Sequence, residues 1–408
     1  MQIDNCASPG LISVDEAIDK IVSSVKPVTD YETVDILDAY HRVTANDVLS
    51  TIDVPGYDNS AMDGFAVRSI DCATPNVKLP VRQRIPAGTL GKKLEQGTAA
   101  RIFTGAPIPE GADAVVMQEL CECEADSVTV NTVVKVGENI RSAGEDIGSG
   151  NIVIPAGKRL RPQELGLLAS IGLSDCKVKR KLKVAVFFTG DEIVTPGQPL
   201  QPGQIYNSNR YTLRSLLHAS GCEIIDLGIV PDTLEATVDI MKQAAATADM
   251  VITSGGVSVG EEDYVRIALE DLGELSMWRI AMKPGKPVAF GRIGDAVFMG
   301  LPGNPVSVFV TFLIFARVAV MRMQGIADYH PEPLSLIADF DWPKVKRQEY
   351  LRVRLVKKNG NNVAQLYPHQ GSGVLSSACW ADGLVEVFIG KEIVRGDTVN
   401  FYAFEGLI

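Results

Sequence analysis

The sequence predicts a multidomain α/β protein: a doubly wound, parallel α/β domain with β-rich modules before it and a small all-β domain after it. Two observations predict this. Between about Lys183 and Gly325, short apolar runs alternate with stretches of helical periodicity, the pattern of a parallel sheet covered on both faces. On either side the alternation stops, and short runs punctuated by Pro and Gly take over.

Near the N-terminus, "SVDEAIDKIVSSV" reads as an amphipathic helix with Ser13 as N-cap and Glu16 at the capping-box position. Polar loops follow in "VPGYDNSAMDGFAVR" (54–68), "RIFTGAPIPEGADAVVMQE" (101–119) and "IRSAGEDIGSG" (140–150), each beside a strand-like run. "PQELGLLASIG" starts a helix with Pro162 at its first position and stops at Gly172; "KVKRKLK" then reads as a basic linker. In the central block "KVAVFF" (183–188) has the composition of a strand buried on both faces. "NSNRYTLRSLLHASG" is a helix capped by Asn207 or Ser208, with Leu213, Leu216 and Leu217 on one face and Gly221 as its stop. Strand "EIIDLGIV" precedes a helix with the stripe Leu234, Val238, Met241 and Ala245; strand "MVIT" (250–253) precedes helical "DYVRIALEDL". The apolar run from Val306 is interrupted by Ser307, Thr311 and Arg317, and reads as a core helix, since a membrane span needs about 20 apolar residues. Beyond residue 331, "EYLRVRLV" and "LVEVF" alternate apolar and polar residues, the pattern of a small barrel or sandwich.

Hydrophobic residues make up 46% of the 408 and charged residues 22%, as in soluble globular proteins rather than disordered ones. A net charge of −11 with no long basic run argues against nucleic acid and anionic membranes as partners. An anionic small molecule is compatible wherever a few cations converge. Seven scattered cysteines without a CxxC pair, and four separated histidines, argue against a zinc-type site. The odd cysteine count and the lack of a secretory signal lead to the expectation of reduced thiols and a cytoplasmic protein.

In open α/β sheets, ligands lie beyond the carboxyl ends of the strands. Four loops leave strand ends here, "TGDEIVTPG" (189–197), "GIVPDT" (228–233), "TSGGVSVGEED" (253–263) and "GLPGNP" (300–305), and they are expected to converge on one cleft. The third is neither a Walker A loop nor a dinucleotide fingerprint. It is a strand–glycine-turn–helix unit able to offer backbone N–H groups, around Gly255, Gly256 and Ser258, to a phosphate or a pterin edge. Glu261 and Glu262 read as first-turn acids complementing the helix dipole. Asp263 reads as a ligand for a hard divalent cation that would carry the anion into an acidic loop. Glu192 and Asp232, at neighbouring strand ends, join it as a candidate metal- or hydroxyl-binding cluster, although Asp232 is equally a helix N-cap. Arg279, Lys283 and Lys286 in "WRIAMKPGKP" (278–287) form a rigid cationic turn suited to an oxyanion.

Seven motifs, "DNSAMDGFAVR", "TGAPIPEGADAVV", "GEDI", "TGDEI", "TSGGVSVGEEDY", "KPGKPVAFG" and "GLPGNPVS", occur in this order, and through them the chain closely resembles the molybdopterin molybdenumtransferase family from end to end. The resemblance implies a discontinuous N-terminal domain (1–53 and 141–182), a β-rich inserted domain (54–140), a molybdopterin-binding α/β domain (183–327) and a C-terminal β-barrel (328–408). It implies an elongated homodimer whose cleft lies between the α/β domain of one subunit and the N-terminal loops of the other. The implied reaction inserts molybdate into adenylylated molybdopterin with Mg²⁺-dependent release of AMP. Implied protein partners are the molybdopterin adenylyltransferase and molybdopterin synthase. By motif, Asp63, Thr104, Glu192, Asp232 and Asp263 carry over as catalytic residues, and the last three also as metal ligands. Asp146, Gly255, Gly256, Ser258, Arg279, Lys283, Lys286, Pro302, Pro305, Arg352 and Ser372 carry over as substrate-binding residues. Arg279 stands where a lysine is expected in some relatives, which keeps the charge and changes the donor geometry. Two alternatives differ in architecture: a molybdopterin adenylyltransferase resembles the α/β domain alone, and a scaffold of gephyrin type would carry a fused adenylyltransferase domain and a long linker.

Overall fold

A computed structural model describes residues 11–257, 264–358 and 360–408. The chain forms two compact units, one of Thr33–Tyr40 and Asn46–Cys176, the other of Met1–Glu32, His41–Ala45 and Lys177–Ile408.

Helix α1 (Val14–Ser24) has the capping box its sequence predicts: the Ser13 hydroxyl accepts from the Glu16 N–H, and the Glu16 carboxylate accepts from the Ser13 N–H. The sequence groups this helix with the N-terminal domain. Its apolar stripe, Val14, Ala17 and Ile21, is buried in the core of the larger unit, against the long helix described below.

In the smaller unit, β1 (Gly64–Val67), β2 (Val77–Ile85), β3 (Ala99–Ile102), β4 (Ala114–Met117), β5 (Cys121–Cys123) and β6 (Ser127–Val130) form one sheet in the order β4-β1-β3-β2-β6-β5. Alternation along β1 sends Phe65 and Val67 into one apolar cluster and Ala66 into another. Helix α2 (Pro162–Ser170) begins at Pro162, and Arg161 and Glu164 close its first turn through an ion pair.

The larger unit holds the α/β sheet. Its elements are β7 (Lys183–Thr189), α3 (Ser208–Ala219), β8 (Glu223–Val230), α4 (Leu234–Thr247), β9 (Met250–Ser254), α5 (Tyr264–Leu272), β10 (Glu274–Arg279), β11 (Pro287–Ile293) and β12 (Ala296–Leu301). The strand order is β8-β7-β9-β12-β11-β10. Both faces are covered, and β7 shows why it reads as a continuous apolar run: Val184, Val186 and Phe188 enter one core, Ala185 and Phe187 the other. Four strands, β8, β7, β9 and β12, are parallel, but β11 runs antiparallel to both β12 and β10. The physical reason is the two-residue turn between Ile293 and Ala296, with Gly294 at φ +56°, which returns the chain without a crossover helix. Helix α4 buries Thr237, Met241 and Ala244, and Leu234, placed on the stripe by sequence, is exposed at its first turn.

From Pro305 to Met323 runs one helix of 19 residues, α6 (Pro305–Thr311) and α7 (Arg317–Met323), joined by a π-helical turn at Phe312–Ala316. By length and composition it could cross a bilayer; here Val306, Val310, Phe312, Phe315 and Val320 lie in the protein core. Each such side chain contributes about 1.5–3 kcal/mol by leaving water. The basic run "KVKRKLK" is no solvated linker: Arg180 donates to both carboxylate oxygens of Asp249 at 2.7 Å and to Asp30 at 3.1 Å.

Strands β13 (Leu334–Ala338), β14 (Gln348–Lys358), β15 (Asn361–Leu366), β16 (Gly383–Val387) and β17 (Thr398–Ala403) close as β14-β15-β13-β17-β16-β14, which makes the C-terminal domain a barrel. Leu336, Leu351, Val353, Val385 and Phe401 fill it. Met282–Lys283 pairs in parallel with Gln348 and Glu349, extending the barrel sheet to the cationic turn.

Candidate active site

The chain passes from β7 out to the edge at β8 and returns to β9 on the other side of β7, so the strand order reverses between β7 and β9. At such a switch point, loops leaving in opposite directions open a crevice beyond the strand ends. A cleft of about 510 Å³ lies there, lined by Thr189, Glu192, Asn207, Asn209, Ser254, Gly255, Gly303, Asn304 and Pro305, with Gly373 from the barrel domain. Three of the four loops expected to converge line this cleft. The fourth reaches it through Asp232, whose Oδ1 accepts a hydrogen bond from Thr189 Oγ1 at 2.9 Å.

Glycine is required where the loops touch. Gly255 has φ +99°, and a Cβ there would stand 2.7 Å from the Thr189 carbonyl oxygen. At Gly256, φ +64°, a Cβ would stand 2.7 Å from Val265 Cγ2. The Gly255 N–H donates to Leu301 O at 3.2 Å, so Gly255 acts by shape rather than as an anion donor. Pro302 is buried, and its carbonyl oxygen accepts from Ser254 Oγ at 3.4 Å. Pro305 opens the long helix behind Asn304, so the positive end of that helix faces the cleft.

The cationic turn lies at the same end of the sheet, since Ala289 pairs with Gly300 and Pro287 with Arg279. Arg279 and Lys286 are exposed. Lys283 is held by Glu349 at 3.2 Å, and the Trp342 indole N–H donates to the same carboxylate at 3.1 Å. Arg352 is 1% exposed and is not on the cleft surface. It donates to Ser377 Oγ, Tyr350 O and Gly371 O, and burial pushes its guanidinium pKa down to about 10. It therefore holds the loop at 371–373, where Ser372 O accepts from the Val306 N–H at 3.0 Å and Gly373 reaches the cleft.

Within the smaller unit the three polar loops also meet. Asp63 Oδ1 accepts from both the Thr104 N–H and the Thr104 hydroxyl, Asp58 Oδ1 accepts from the Ala143 N–H, and the Asp146 N–H donates to Val54 O. A second cleft of about 510 Å³ opens among Tyr57, Asn59, Gly105, Arg141, Glu145 and Asp146. The Asp146 side chain is exposed.

Asp263, Ser258, Glu261 and Glu262 lie outside the described residues. Among the described residues, no three His, Cys, Asp or Glu side chains gather as a metal-binding group. Sequence reasoning placed Asn207 at a helix cap and passed over Asn209, although both line the cleft; the available signal was their position at the start of the helix after β7.

A doubly wound sheet with a glycine-lined crevice at its switch point, a cationic turn at the same end and a barrel loop at the rim defines an α/β protein with a ligand-sized crevice at the place where such sheets bind ligands. Comparison with known proteins makes the class specific. The chain matches the family models for the MoeA N-terminal region (domain I and II) over residues 12–172, a probable molybdopterin binding domain over 185–322 and the MoeA C-terminal region (domain IV) over 335–404. It is 39% identical over 404 residues to the molybdopterin molybdenumtransferase of Haemophilus influenzae, covering 98% of this chain and 100% of that one. It is 37% identical over 369 residues to molybdopterin molybdenumtransferase 2 of Mycobacterium tuberculosis, covering 87% and 90%. The solved molybdopterin biosynthesis moeA protein from Pyrococcus horikoshii OT3 superposes with a TM-score of 0.84 at 28% identity, covering 96% of this chain and 100% of that one. The chain belongs to the molybdopterin molybdenumtransferase family, enzymes of molybdenum cofactor biosynthesis.

Proposed function

We propose that this chain joins molybdate to adenylylated molybdopterin in the crevice between β7 and β9, releasing AMP in a Mg²⁺-dependent step. The observation that carries the reading is the meeting of Glu192, Thr189 and the glycine loop at Ser254 and Gly255 in one cleft, with Asp232 bonded to Thr189 behind it. The donor chemistry fits Mg²⁺, which takes one or two carboxylates and completes its shell with phosphate oxygens and water. Asp232 has one oxygen held by Thr189 and no hydrogen bond to its other oxygen among the described residues. Glu192 folds back until its carboxylate would stand 2.6 Å from a Cβ at Gly190. These two residues, with Asp263 by motif, would hold the ion, which supplies Lewis acidity toward the pyrophosphate when bound.

The protein's own groups do the rest. Arg279 and Lys286 attract the two anionic substrates, and Lys283, fixed by Glu349, gives that attraction a defined position. The rigid loops at 254–256 and 301–305 exclude mobile solvent and set the ligand's orientation. A molybdate oxygen or water attacks the molybdopterin-side phosphorus of the pyrophosphate, the phosphoanhydride P–O bond breaks, and AMP leaves. We further propose a cytoplasmic homodimer that receives its substrate from the adenylyltransferase, in which the loops carrying Asp63, Thr104 and Asp146 in one subunit serve the crevice of the other. The test is purified protein mixed with adenylylated molybdopterin, molybdate and Mg²⁺, with AMP followed by chromatography. Molybdate-dependent AMP is expected; none would overturn the reading, and a monomer by light scattering would overturn the dimer.

A further inference from the structure

Two asparagines at the start of α3 complete the cleft, and neither is explained by folding alone. Asn209 Nδ2 donates to Ser254 Oγ at 2.8 Å and to the Gly303 carbonyl at 2.7 Å. One amide thus ties the glycine loop after β9 to the loop before α6. Asn207 is 4% exposed, and its Oδ1 caps α3 by accepting from the Arg210 N–H at 3.1 Å. A backbone carbonyl can only accept and a backbone N–H can only donate, so these partners fix which amide atom is nitrogen in each residue. The atoms left over are Asn207 Nδ2 and Asn209 Oδ1, both buried and, among the described residues, both without a hydrogen-bond partner. An orphaned buried polar atom is destabilising, and two of them in residues that line one cleft indicate a ligand that pairs with them.

We infer that Asn207 and Asn209 form a recognition pair that reads the neutral polar edge of a bound heterocycle. Asn207 Nδ2 offers a donor and Asn209 Oδ1 an acceptor. A deprotonated oxyanion such as molybdate or pyrophosphate has no hydrogen to give the Asn209 oxygen, so the pair is mismatched to the charged part of a substrate. A fused heterocycle carrying an N–H or amino donor beside a ring acceptor matches it. This inference rests on the cleft assigned above. Adenylylated molybdopterin has two such edges, adenine and pterin, and the chemistry is shared.

The test uses the full chain and its Asn207→Ser variant. Serine keeps an N-cap acceptor without adding charge and takes away the Nδ2 amide, its shorter hydroxyl engaged at the cap leaving no donor at the place Nδ2 occupied. Binding of AMP, of pterin and of inorganic pyrophosphate is measured by calorimetry, with thermal melting as a check on folding. About tenfold weaker binding of one heterocycle is expected, with pyrophosphate unchanged. Loss confined to AMP assigns the pair to adenine, and loss confined to pterin assigns it to the pterin. Equal loss for all three probes, or none, overturns the inference while leaving the cleft in place. Failure of the unaltered protein to bind any probe overturns the cleft reading and this inference with it. Asn209→Ala removes the acceptor together with both tethering donors, so loss of heterocycle binding beyond any loss of pyrophosphate binding is expected; selectivity equal to that of the unaltered protein would show that Asn209 positions the loops without reading the ligand, and would overturn its half of the pair.

Discussion

Asp63 and Thr104 are joined twice: one carboxylate oxygen of Asp63 accepts from the Thr104 N–H and from the Thr104 hydroxyl, each at 2.8 Å. The backbone bond first, and the hydroxyl second, hold the Asp63 carboxyl below its ordinary range, with burial opposing weakly. An acid whose pKa is depressed in the fold stabilises it above the unfolded pKa, and that contribution is lost as pH falls through the folded value. The link between loops 54–63 and 104–107 is therefore intact at neutral pH and fails only on acidification below the ordinary aspartate range. Thr104→Val removes the hydroxyl and leaves the N–H. The Asp63 carboxyl should then titrate part of the way back toward its ordinary value, as read by carbon NMR. An unchanged titration would show that the hydroxyl contributes nothing.

The Thr189–Asp232 bond makes a second prediction. Thr189→Val is close to isosteric and removes only the donor that orients Asp232. Stability should change by less than about 1.5 kcal/mol, while AMP release slows about tenfold. Asp232→Asn should abolish turnover with the fold intact by circular dichroism. Full activity in Asp232→Asn would remove Asp232 from the chemistry.

At Gly285, φ is +104° and a Cβ would stand 2.2 Å from Thr311 Cγ2. Gly285→Ala should destabilise by about 1–3 kcal/mol in denaturant melts, combining overlap with backbone strain. Thr311→Ser removes the offending methyl and keeps the hydroxyl that donates to Ser307 O. The double variant should recover the overlap part and retain the strain part. A strictly additive cycle would contradict the contact.

Arg352→Met leaves the Gly371 and Tyr350 carbonyl groups without their guanidinium donor in the barrel. A loss of about 2–4 kcal/mol is expected. Hydrogen exchange of the Val306 N–H, which donates to Ser372 O, should also accelerate because the 371–373 loop loses its anchor. Faster exchange without destabilisation, or the reverse, would separate two roles that the geometry joins.

The parts of the fold legible in sequence are those carried by local patterns. The apolar run of β7, the leucine face of α3 and the capping box of α1 each follow from spacing within one element. The hairpin of β11 and β12 was hidden because "KPGKPVAFGRIGDAVFMG" draws attention to its charges and prolines, while its direction depends on a turn at Gly294. Glu192 and Gly255 were legible as cleft residues because topology places strand-end loops together. Asn209 was not, since its partners Ser254 and Gly303 are 45 and 94 residues away in sequence. Arg352 carried over by motif as a substrate-binding residue; only packing reveals that its donors engage the Tyr350 and Gly371 carbonyl groups and Ser377 Oγ.

The most direct measurement is a crystal structure of Asp232→Asn with adenylylated molybdopterin and Mg²⁺ bound. Density for the ligand is expected in the crevice between Thr189, Asn209, Gly255 and Gly303, with the ion beside Glu192. Ligand density elsewhere on the protein, with this crevice filled only by water, would contradict the assignment.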